Sequence, residues 1–258
     1  MKKTLLFLGF TGIILLSACV SKKQSATQAE TYKSMYEEKP VTVLIMPPIN
    51  RTEHVEAKDM FHSTLSMPIC NTGYYVIPPF LSMEILKSES AYDAELFLDA
   101  PLAKFGEVFG ADMVLFTIIN NWKKTAVIGK INVEIEYIFK SVKTGEILYQ
   151  RTGNISLNPD VYYPSSFSLA ALVTAAVLTL ESTIENATTD NAFVGRICNN
   201  LMLSDLPAGP YSPLNGNDGD FFAGTKEFKA SLSGNAKSNV KITTGAYSIY
   251  ATEKKKKK

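Results

Sequence analysis

The fold is decided by the stretch Val41-Thr42-Val43-Leu44-Ile45-Met46, which is followed by Pro47-Pro48. The run is apolar apart from Thr42 and rich in β-branched side chains, a pattern typical of a strand that is buried on both faces. Because proline cannot donate to the hydrogen-bond ladder of a central strand, we expect the strand to end there. The stretch therefore predicts the first strand of a sheet that is covered on both sides.

Helices and strands alternate after this first strand. A period of three to four residues marks the helices, and short β-branched or aromatic runs bounded by Gly or Pro mark the strands. This alternation predicts an α/β sheet with some parallel pairing. The predicted elements are a helix that begins near Ala57 and ends at Asn71-Thr72-Gly73, a strand over Tyr74–Ile77, a helix over Phe80–Ser88, a helix over Leu102–Phe109 that Gly110 ends, and a strand over Met113–Ile119.

A different pattern follows, because apolar and polar residues alternate over Lys130–Phe139 with Ile138 as the exception. A period of two is typical of an antiparallel strand with one face in water. Thr144-Gly145 then predicts a turn into a partner strand over Glu146–Arg151. The expected fold class is α/β, with a mixed sheet of parallel βα units and an antiparallel hairpin, packed by helices.

The N-terminal residues have the organisation of a lipoprotein signal peptide. Lys2 and Lys3 precede an apolar run from Thr4 to Leu16, which is too short for a permanent span because a membrane helix needs roughly 20 apolar residues. The run ends in Leu16-Ser17-Ala18-Cys19, an order that a lipoprotein signal peptidase accepts. We expect removal of residues 1–18 and covalent attachment of a diacylglycerol and an N-acyl chain to Cys19.

This processing would hold the mature chain on a membrane. Each buried methylene contributes about 0.8 kcal/mol, so several acyl chains hold a protein more firmly than one. Val20 stands where an inner-membrane retention signal often has Asp, which favours the outer membrane and a domain that faces the periplasm. The polar residues 19–40 predict a flexible tether, residues 41–213 the folded domain, and the Lys-ending residues 214–258 a disordered tail.

Two cysteines are left once Cys19 is acylated. They are Cys70 and Cys198, and the compartment outside the inner membrane permits disulfides. Spacing leaves open whether the two pair, because a bridge requires Cα atoms within about 7 Å.

The charge balance and the motifs exclude several classes of function. The chain has 26 Lys and Arg residues against 25 Asp and Glu residues, whereas proteins that bind nucleic acid carry a clustered basic face. The sequence has no Gly-x-Ser-x-Gly elbow, no Gly-rich phosphate loop and no Cys-x-x-Cys pair.

His54 and His62 are eight residues apart, about 12 Å on a helix, which is too far for one zinc ion. Glu134 and Glu136 fall on the water-facing side of a predicted strand. We therefore expect that the protein has no enzymatic activity and that it binds neither a metal ion nor a cofactor.

Two features leave alternatives open. Trp122 follows a strand and is either an exposed anchor for a partner or, as is usual for tryptophan, a largely buried side chain. Phe167–Ile184 is the most apolar part of the mature chain and predicts a helix too short to span a bilayer. That helix either packs in the core or contacts a partner or the membrane surface, and the second possibility would allow an oligomer.

Five stretches occur in an order and spacing typical of one family. They are Val43–Asn50, a first strand and its proline turn; Gly73–Pro78, a second strand; Gly110–Leu115, the entry to a central strand; Thr144–Leu148, a hairpin turn; and Leu206–Tyr211, a closing segment. Together they resemble a family of bacterial lipoproteins that are auxiliary to ABC-type transport, and the resemblance covers most of the mature domain.

The resemblance implies a sandwich like the N-terminal domain of TolB and the periplasmic domains of curli-secretion and penicillin-binding-protein-activator lipoproteins. Those domains are scaffolds, so no catalytic residue carries over, and Cys19 is the functional position that does. The implied function is a lipid-anchored periplasmic accessory protein that binds envelope proteins and assists a transport or secretion complex. The alternatives are a subunit of an oligomeric outer-membrane secretion pore and a hydrolase that acts on an envelope polymer.

Overall fold

The apolar run at residues 41–46 forms the first strand of the sheet. A computed structural model of the chain describes residues 26–124, 131–157, 191–235, 238–244 and 247–250. β1 (Thr42–Ile45) is buried beyond its first residue and lies between β3 (Tyr75–Val76) and β4 (Met113–Lys124), with which it pairs in parallel. After the two prolines, β2 (Ile49–Asn50) pairs in parallel with a later part of β4. The parallel part of the sheet is thus confirmed.

Helices connect these parallel strands, as the alternating pattern predicted. The helices are α3 (Ala57–Asn71), α4 (Pro79–Ser88), a short 3-10 helix (Ala94–Phe97) and α5 (Ala103–Phe109). α5 ends at Gly110, whose φ of 66° is a left-handed conformation that glycine adopts without strain.

The predicted hairpin is also present. β5 (Ile131–Ser141) pairs in antiparallel fashion with β4 on one side and with β6 (Ile147–Leu157) on the other. Every second residue of β5 is buried, from Ile131 to Ser141, so the period of two in the sequence corresponds to one inward and one outward face. The α/β fold class with a mixed sheet is confirmed.

Two apolar layers cover the sheet. On one face, α3 and α6 (Asn191–Met202) pack against β1 and β4 to β6. On the other face, α4 and α5 cover β1 and β4. The second face of β5 and β6 carries Glu134, Glu136 and Asn154 beside the half-buried Ile138, and it remains partly open to water.

The prediction of a flexible tether over residues 19–40 was wrong for its second half. α1 (Gln28–Thr31) and α2 (Lys33–Glu38) form there, and Tyr32 and Met35 are buried in the layer that contains α3 and α6. The composition of the segment was misleading because two apolar side chains three residues apart can bury one helix face when the rest of the domain supplies the opposing surface.

The prediction that the domain ends at residue 213 was also wrong. β7 (Glu227–Asn235) pairs in parallel with β6, and β8 (Ser238–Thr244) and β9 (Tyr247–Tyr250) continue the sheet in antiparallel fashion. Phe228 and Ala230 are buried against β6. Few apolar residues are needed there, because the edge of β6 offers unpaired backbone groups to which a polar segment can bond.

Among the described residues the sheet has nine strands, and eight follow the order β3-β1-β4-β5-β6-β7-β8-β9, with β2 beside β4. The apolar segment Phe167–Ile184, on which the prediction of an interface helix depends, lies outside the described residues.

Candidate functional site

The predicted acylation site, Cys19, lies outside the described residues, which begin at Ala26. The chain is bonded to the domain from that residue onward. The Ala26 carbonyl accepts a hydrogen bond from the Ala223 N–H (2.9 Å), and the Gln28 N–H donates to the Phe221 carbonyl (2.7 Å). Six residues, 20–25, therefore separate the predicted anchor from the first residue that the domain holds.

A group of buried polar side chains lies beneath this N-terminal segment. This buried polar cluster consists of Tyr32, Tyr149, Arg151 and Asp205. The Arg151 guanidinium pairs with the Asp205 carboxylate. The Tyr32 hydroxyl donates to Oδ2 of Asp205 (2.7 Å), and the Tyr149 hydroxyl lies 3.0 Å from Oδ1.

The cluster joins parts of the chain that are distant in sequence. Tyr32 lies between α1 and α2, Tyr149 and Arg151 point inward from β6, and Asp205 follows α6. The Gly224 N–H, just before β7, also donates to Oδ2 of Asp205 (2.5 Å). One carboxylate thus binds the N-terminal helices, the sheet and the C-terminal extension together.

Burial and mutual attraction fix the ionisation of the cluster. Burial alone would lower the pKa of Arg151, but the Asp205 carboxylate and the two tyrosines raise that pKa above its ordinary value. Burial, followed by the nearby Asp205 charge, raises the pKa of Tyr32, and burial raises the pKa of Tyr149. The arginine therefore stays charged and the tyrosines stay protonated near neutral pH, which is typical of a structural connection rather than of an acid/base pair.

Sequence reasoning missed this cluster, although one signal was available. Arg151 occupies an inward position of the period-two pattern, between Tyr149 and Gly153, where an apolar residue is expected. A charge at such a position requires a buried partner. That partner, Asp205, is 54 residues further along the chain, and no local pattern indicates it.

The two histidines do not form a site together. His54 is exposed and its ring lies 6.5 Å from that of Trp122, whereas His62 is buried on α3. Burial lowers the pKa of His62, so its imidazole is neutral. Within the described ranges, no three His, Cys, Asp or Glu side chains come together as a metal site would require.

Cys70 and Cys198 are both free thiols, so the possible disulfide is not formed. Cys198 is buried on α6, and burial raises the pKa of its thiol. The neighbouring Asn199 amide contacts the Thr64 hydroxyl of α3 at 2.8 Å. Cys70 is six residues beyond Thr64, about 9 Å along the helix axis, and it is exposed. The helix therefore carries Cys70 away from its candidate partner.

The other candidate side chains have structural positions. Trp122 is buried and packs edge-on against Phe61, with ring centroids 5.6 Å apart, so the structure places it in the core and not at an exposed anchor. Glu134 and Glu136 lie on the water-facing side of β5, as predicted, and Glu136 accepts a hydrogen bond from the Gln150 amide (2.7 Å).

A surface cleft of about 370 Å³ lies between the end of α2, the entry to β4 and the turn after β5. Two of the three carboxylates that line it, those of Glu38 and Asp112, are engaged within the domain. Glu38 accepts from the Ser141 hydroxyl (2.6 Å), and Asp112 accepts from the N–H groups of Val41 and Thr42 (2.9 Å each). These bonds hold the start of β1 and the β5–β6 turn in place, so the carboxylates are not available as an acid/base pair.

Comparison with known proteins identifies the family. Residues 30–210 match the family model described as "Putative lipoprotein GNA1162-like". The chain belongs to this family. All four residues of the buried polar cluster lie inside the matched range, whereas β7, β8 and β9 lie beyond its end. The resemblance to bacterial lipoproteins that the five stretches indicated is thus confirmed.

One relative of this GNA1162-like chain is "Putative lipoprotein NMB1124/NMB1162" of Neisseria meningitidis serogroup B. The two are 27% identical over 190 residues, which cover 73% of this chain and 84% of the relative. Among solved structures, the chain is similar to lipoprotein GNA1162 from Neisseria meningitidis, with 24% identity and a TM-score of 0.42 over 46% of this chain and 83% of the other.

Two further solved structures are similar in part. The PelC dodecamer from Paraburkholderia phytofirmans has 19% identity and a TM-score of 0.32, over 46% of this chain and 74% of the other. The LpoB C-terminal domain from Escherichia coli has 14% identity and a TM-score of 0.31, over 51% of this chain and 95% of the other.

Membership of a lipoprotein family associates the chain with the cell envelope. The descriptions of the GNA1162-like family and of the relative name no enzymatic activity. Among the helices that the described ranges contain, none has both the length and the apolar character needed to cross a bilayer.

Proposed function

We propose that this GNA1162-like protein is a lipid-anchored accessory module of the cell envelope. Acylated Cys19 holds it on the outer membrane, and its α/β domain faces the periplasm, where it binds other envelope proteins and assists a transport or secretion complex. The observation that carries the proposal is the position of the Leu16–Cys19 motif, which ends eleven residues before the range that matches a lipoprotein family.

The use of polar side chains within the domain supports a binding role over a catalytic one. Asp205 and Arg151, the most deeply buried acid and base among the described residues, neutralise each other, and the Tyr32 and Tyr149 hydroxyls contact the same carboxylate. In the surface cleft, the Glu38 and Asp112 carboxylates accept hydrogen bonds from the domain itself. An arrangement of this kind stabilises a surface without offering reactive groups to a substrate.

Acylation is tested by expressing the full chain and its Cys19→Ser variant with radioactive palmitate. We expect the wild-type protein to carry label and to sediment with outer-membrane vesicles after a high-salt wash, because the acyl chains supply the membrane affinity. The Cys70→Ser variant is the matched control, since it removes an exposed thiol within the domain and should keep both properties. A Cys19→Ser protein that is still processed and stays with membranes would refute the anchor.

The binding role is tested by cross-linking intact cells and recovering the tagged protein. We expect one or more envelope proteins to be recovered with the wild-type chain and to be reduced with Cys19→Ser, which is released from the surface where its partners lie. Recovery of the acylated protein without any cross-linked partner would contradict the accessory role and leave the anchor intact.

A further inference from the structure

The first described residues are clamped to the segment that precedes β7. In addition to the two hydrogen bonds described above, the Ala29 N–H donates to the Gly219 carbonyl (3.0 Å), and Thr27 and Phe222 form a β-bridge. Thr27 and Glu30 also form a capping box that stabilises α1 at this point. Residues 26–30 and 219–223, which we name the N-terminal clamp, therefore fix where the chain leaves the domain.

The clamp sets a limit on how far the domain can lie from its anchor. The seven Cα-to-Cα steps from Cys19 to Ala26 span about 25 Å at most, even when fully extended. A free tether over residues 19–40 would span roughly 70 Å under the same rule, whereas a domain of this size is roughly 40 Å wide. The shorter reach is less than the width of the domain, so it prevents the opposite side from turning toward the anchor.

One exposed aromatic residue lies in the clamp. Phe222 is 55% exposed although the backbone groups on either side of it, the Phe221 carbonyl and the Ala223 N–H, are bonded to the N-terminal segment. A phenylalanine side chain on a surface that lies on a membrane is buried at the boundary between the lipid headgroups and the acyl chains. The exposed charges of the adjoining segments balance, with Glu30 and Asp220 against Lys33 and Lys226, so contact with this surface requires no anionic lipid.

From the clamp, the length of chain that leaves it and the exposure of Phe222, we propose that the clamp surface rests on the lipid headgroups of the membrane that holds Cys19. Phe222 lies at headgroup level in this arrangement, and α4, which covers the other side of the sheet, faces away from the membrane. The inference rests on the acylation of Cys19 proposed above, and it adds an orientation that acylation alone does not supply.

A fluorescent probe at two positions tests the orientation. Full-length acylated protein with Cys70→Ser is prepared with either Phe222→Cys or Phe80→Cys and labelled with an environment-sensitive dye, since Cys198 is buried. Phe80 is the matched control because it is an equally large aromatic residue, 83% exposed on α4. Each protein is reconstituted into phosphatidylethanolamine and phosphatidylglycerol vesicles that contain a headgroup-nitroxide lipid as quencher.

We expect the probe at residue 222 to be quenched roughly twofold more than the probe at residue 80, because it lies at the headgroup boundary and close to the nitroxide. Insertion of a long Gly/Ser linker between Ser25 and Ala26 should abolish the difference by releasing the domain from the surface. Equal quenching of the two probes in protein that floats with the vesicles would overturn the orientation and leave the lipid anchor intact. Failure of the wild-type protein to float would instead refute the acylation itself, and the orientation with it.

Discussion

The side chains of Arg151 and Asp205 form an ion pair in which they are 1% and 0% exposed. Arg151 lies on β6 and Asp205 follows α6, so the ion pair joins the sheet to the segment that comes after α6. Tyr32 and the Gly224 N–H bind the same carboxylate. The N-terminal helices and the approach to β7 therefore depend on one buried charge.

Removal of that charge should strongly destabilise the domain. For Asp205→Asn we expect a loss of about 3 to 5 kcal/mol in the free energy of unfolding, because the Arg151 guanidinium stays buried without its counter-charge. Urea denaturation followed by circular dichroism measures the loss. The control is Glu95→Gln at the exposed pair of Arg51 and Glu95 (3.0 Å), where about 1 kcal/mol or less is expected. Similar small losses in both variants would show that the buried pair does not hold the domain together.

The C-terminal extension should contribute to the stability of the family domain. We expect Phe228→Ala to cost about 3 kcal/mol or more, because it removes a buried aromatic side chain between β7 and Arg151. The neighbouring Lys229→Ala changes an exposed residue of the same strand and should alter stability by no more than about 0.5 kcal/mol. Thermal unfolding of the two variants separates these values, and equal melting temperatures would show that β7 adds nothing to the core.

The two thiols should differ in reactivity. Cys70 is exposed, whereas burial restricts access to the Cys198 thiol and raises its pKa, so that little thiolate is available. We expect a maleimide to add once to the native domain and twice after denaturation, without prior reduction, as measured by intact mass. A native protein that accepts no maleimide until it is reduced would indicate a disulfide and contradict the free thiols.

The stability of the domain should fall as the pH is lowered through the ordinary pKa of histidine. Burial lowers the pKa of His62 below its usual 6.5 and the Lys58 charge lowers it further, whereas the opposing effects of the Asp59 charge and of a hydrogen bond with the Ile45 backbone are smaller than that of burial. The unfolded chain therefore binds a proton at a pH where the folded chain does not, and stability is lost below about pH 6.5 with a limiting slope of about 1.4 kcal/mol per pH unit. Urea denaturation at several pH values should show this loss, and His62→Gln should remove it. An unchanged pH dependence in His62→Gln would assign the loss to other groups.

The parts of the fold that were predicted correctly are those with a strong local pattern. β1 is buried on both faces and its sequence is a continuous apolar run, whereas β5 is buried on one face and its sequence alternates. Burial of a whole face therefore gives a periodic pattern that is visible in the sequence. The N-terminal helices and β7 were not predicted, because each contributes few apolar residues to the core. These are Tyr32 and Met35 for the helices and Phe228 and Ala230 for β7. These segments fold because other parts of the domain supply the surfaces against which they pack.

The candidate site residues also divide into those that the sequence predicts and those that it does not. The acylation motif predicted at Cys19 is a run of consecutive residues, so it can be recognised without a structure. The pairing of Arg151 with Asp205 and the thiol of Cys198 in the core depend on which helices pack on which face of the sheet. Local sequence does not contain that information.

The sequence by itself determined the secondary-structure pattern, the mixed sheet and the family, because periodicity and short motifs are properties of neighbouring residues. Only the tertiary structure decided that one buried carboxylate connects both ends of the domain and that residues 26–30 are bonded to residues 219–223. The physical reason is that buried polar groups must find partners wherever the fold brings them, and those partners here come from segments that no local pattern connects.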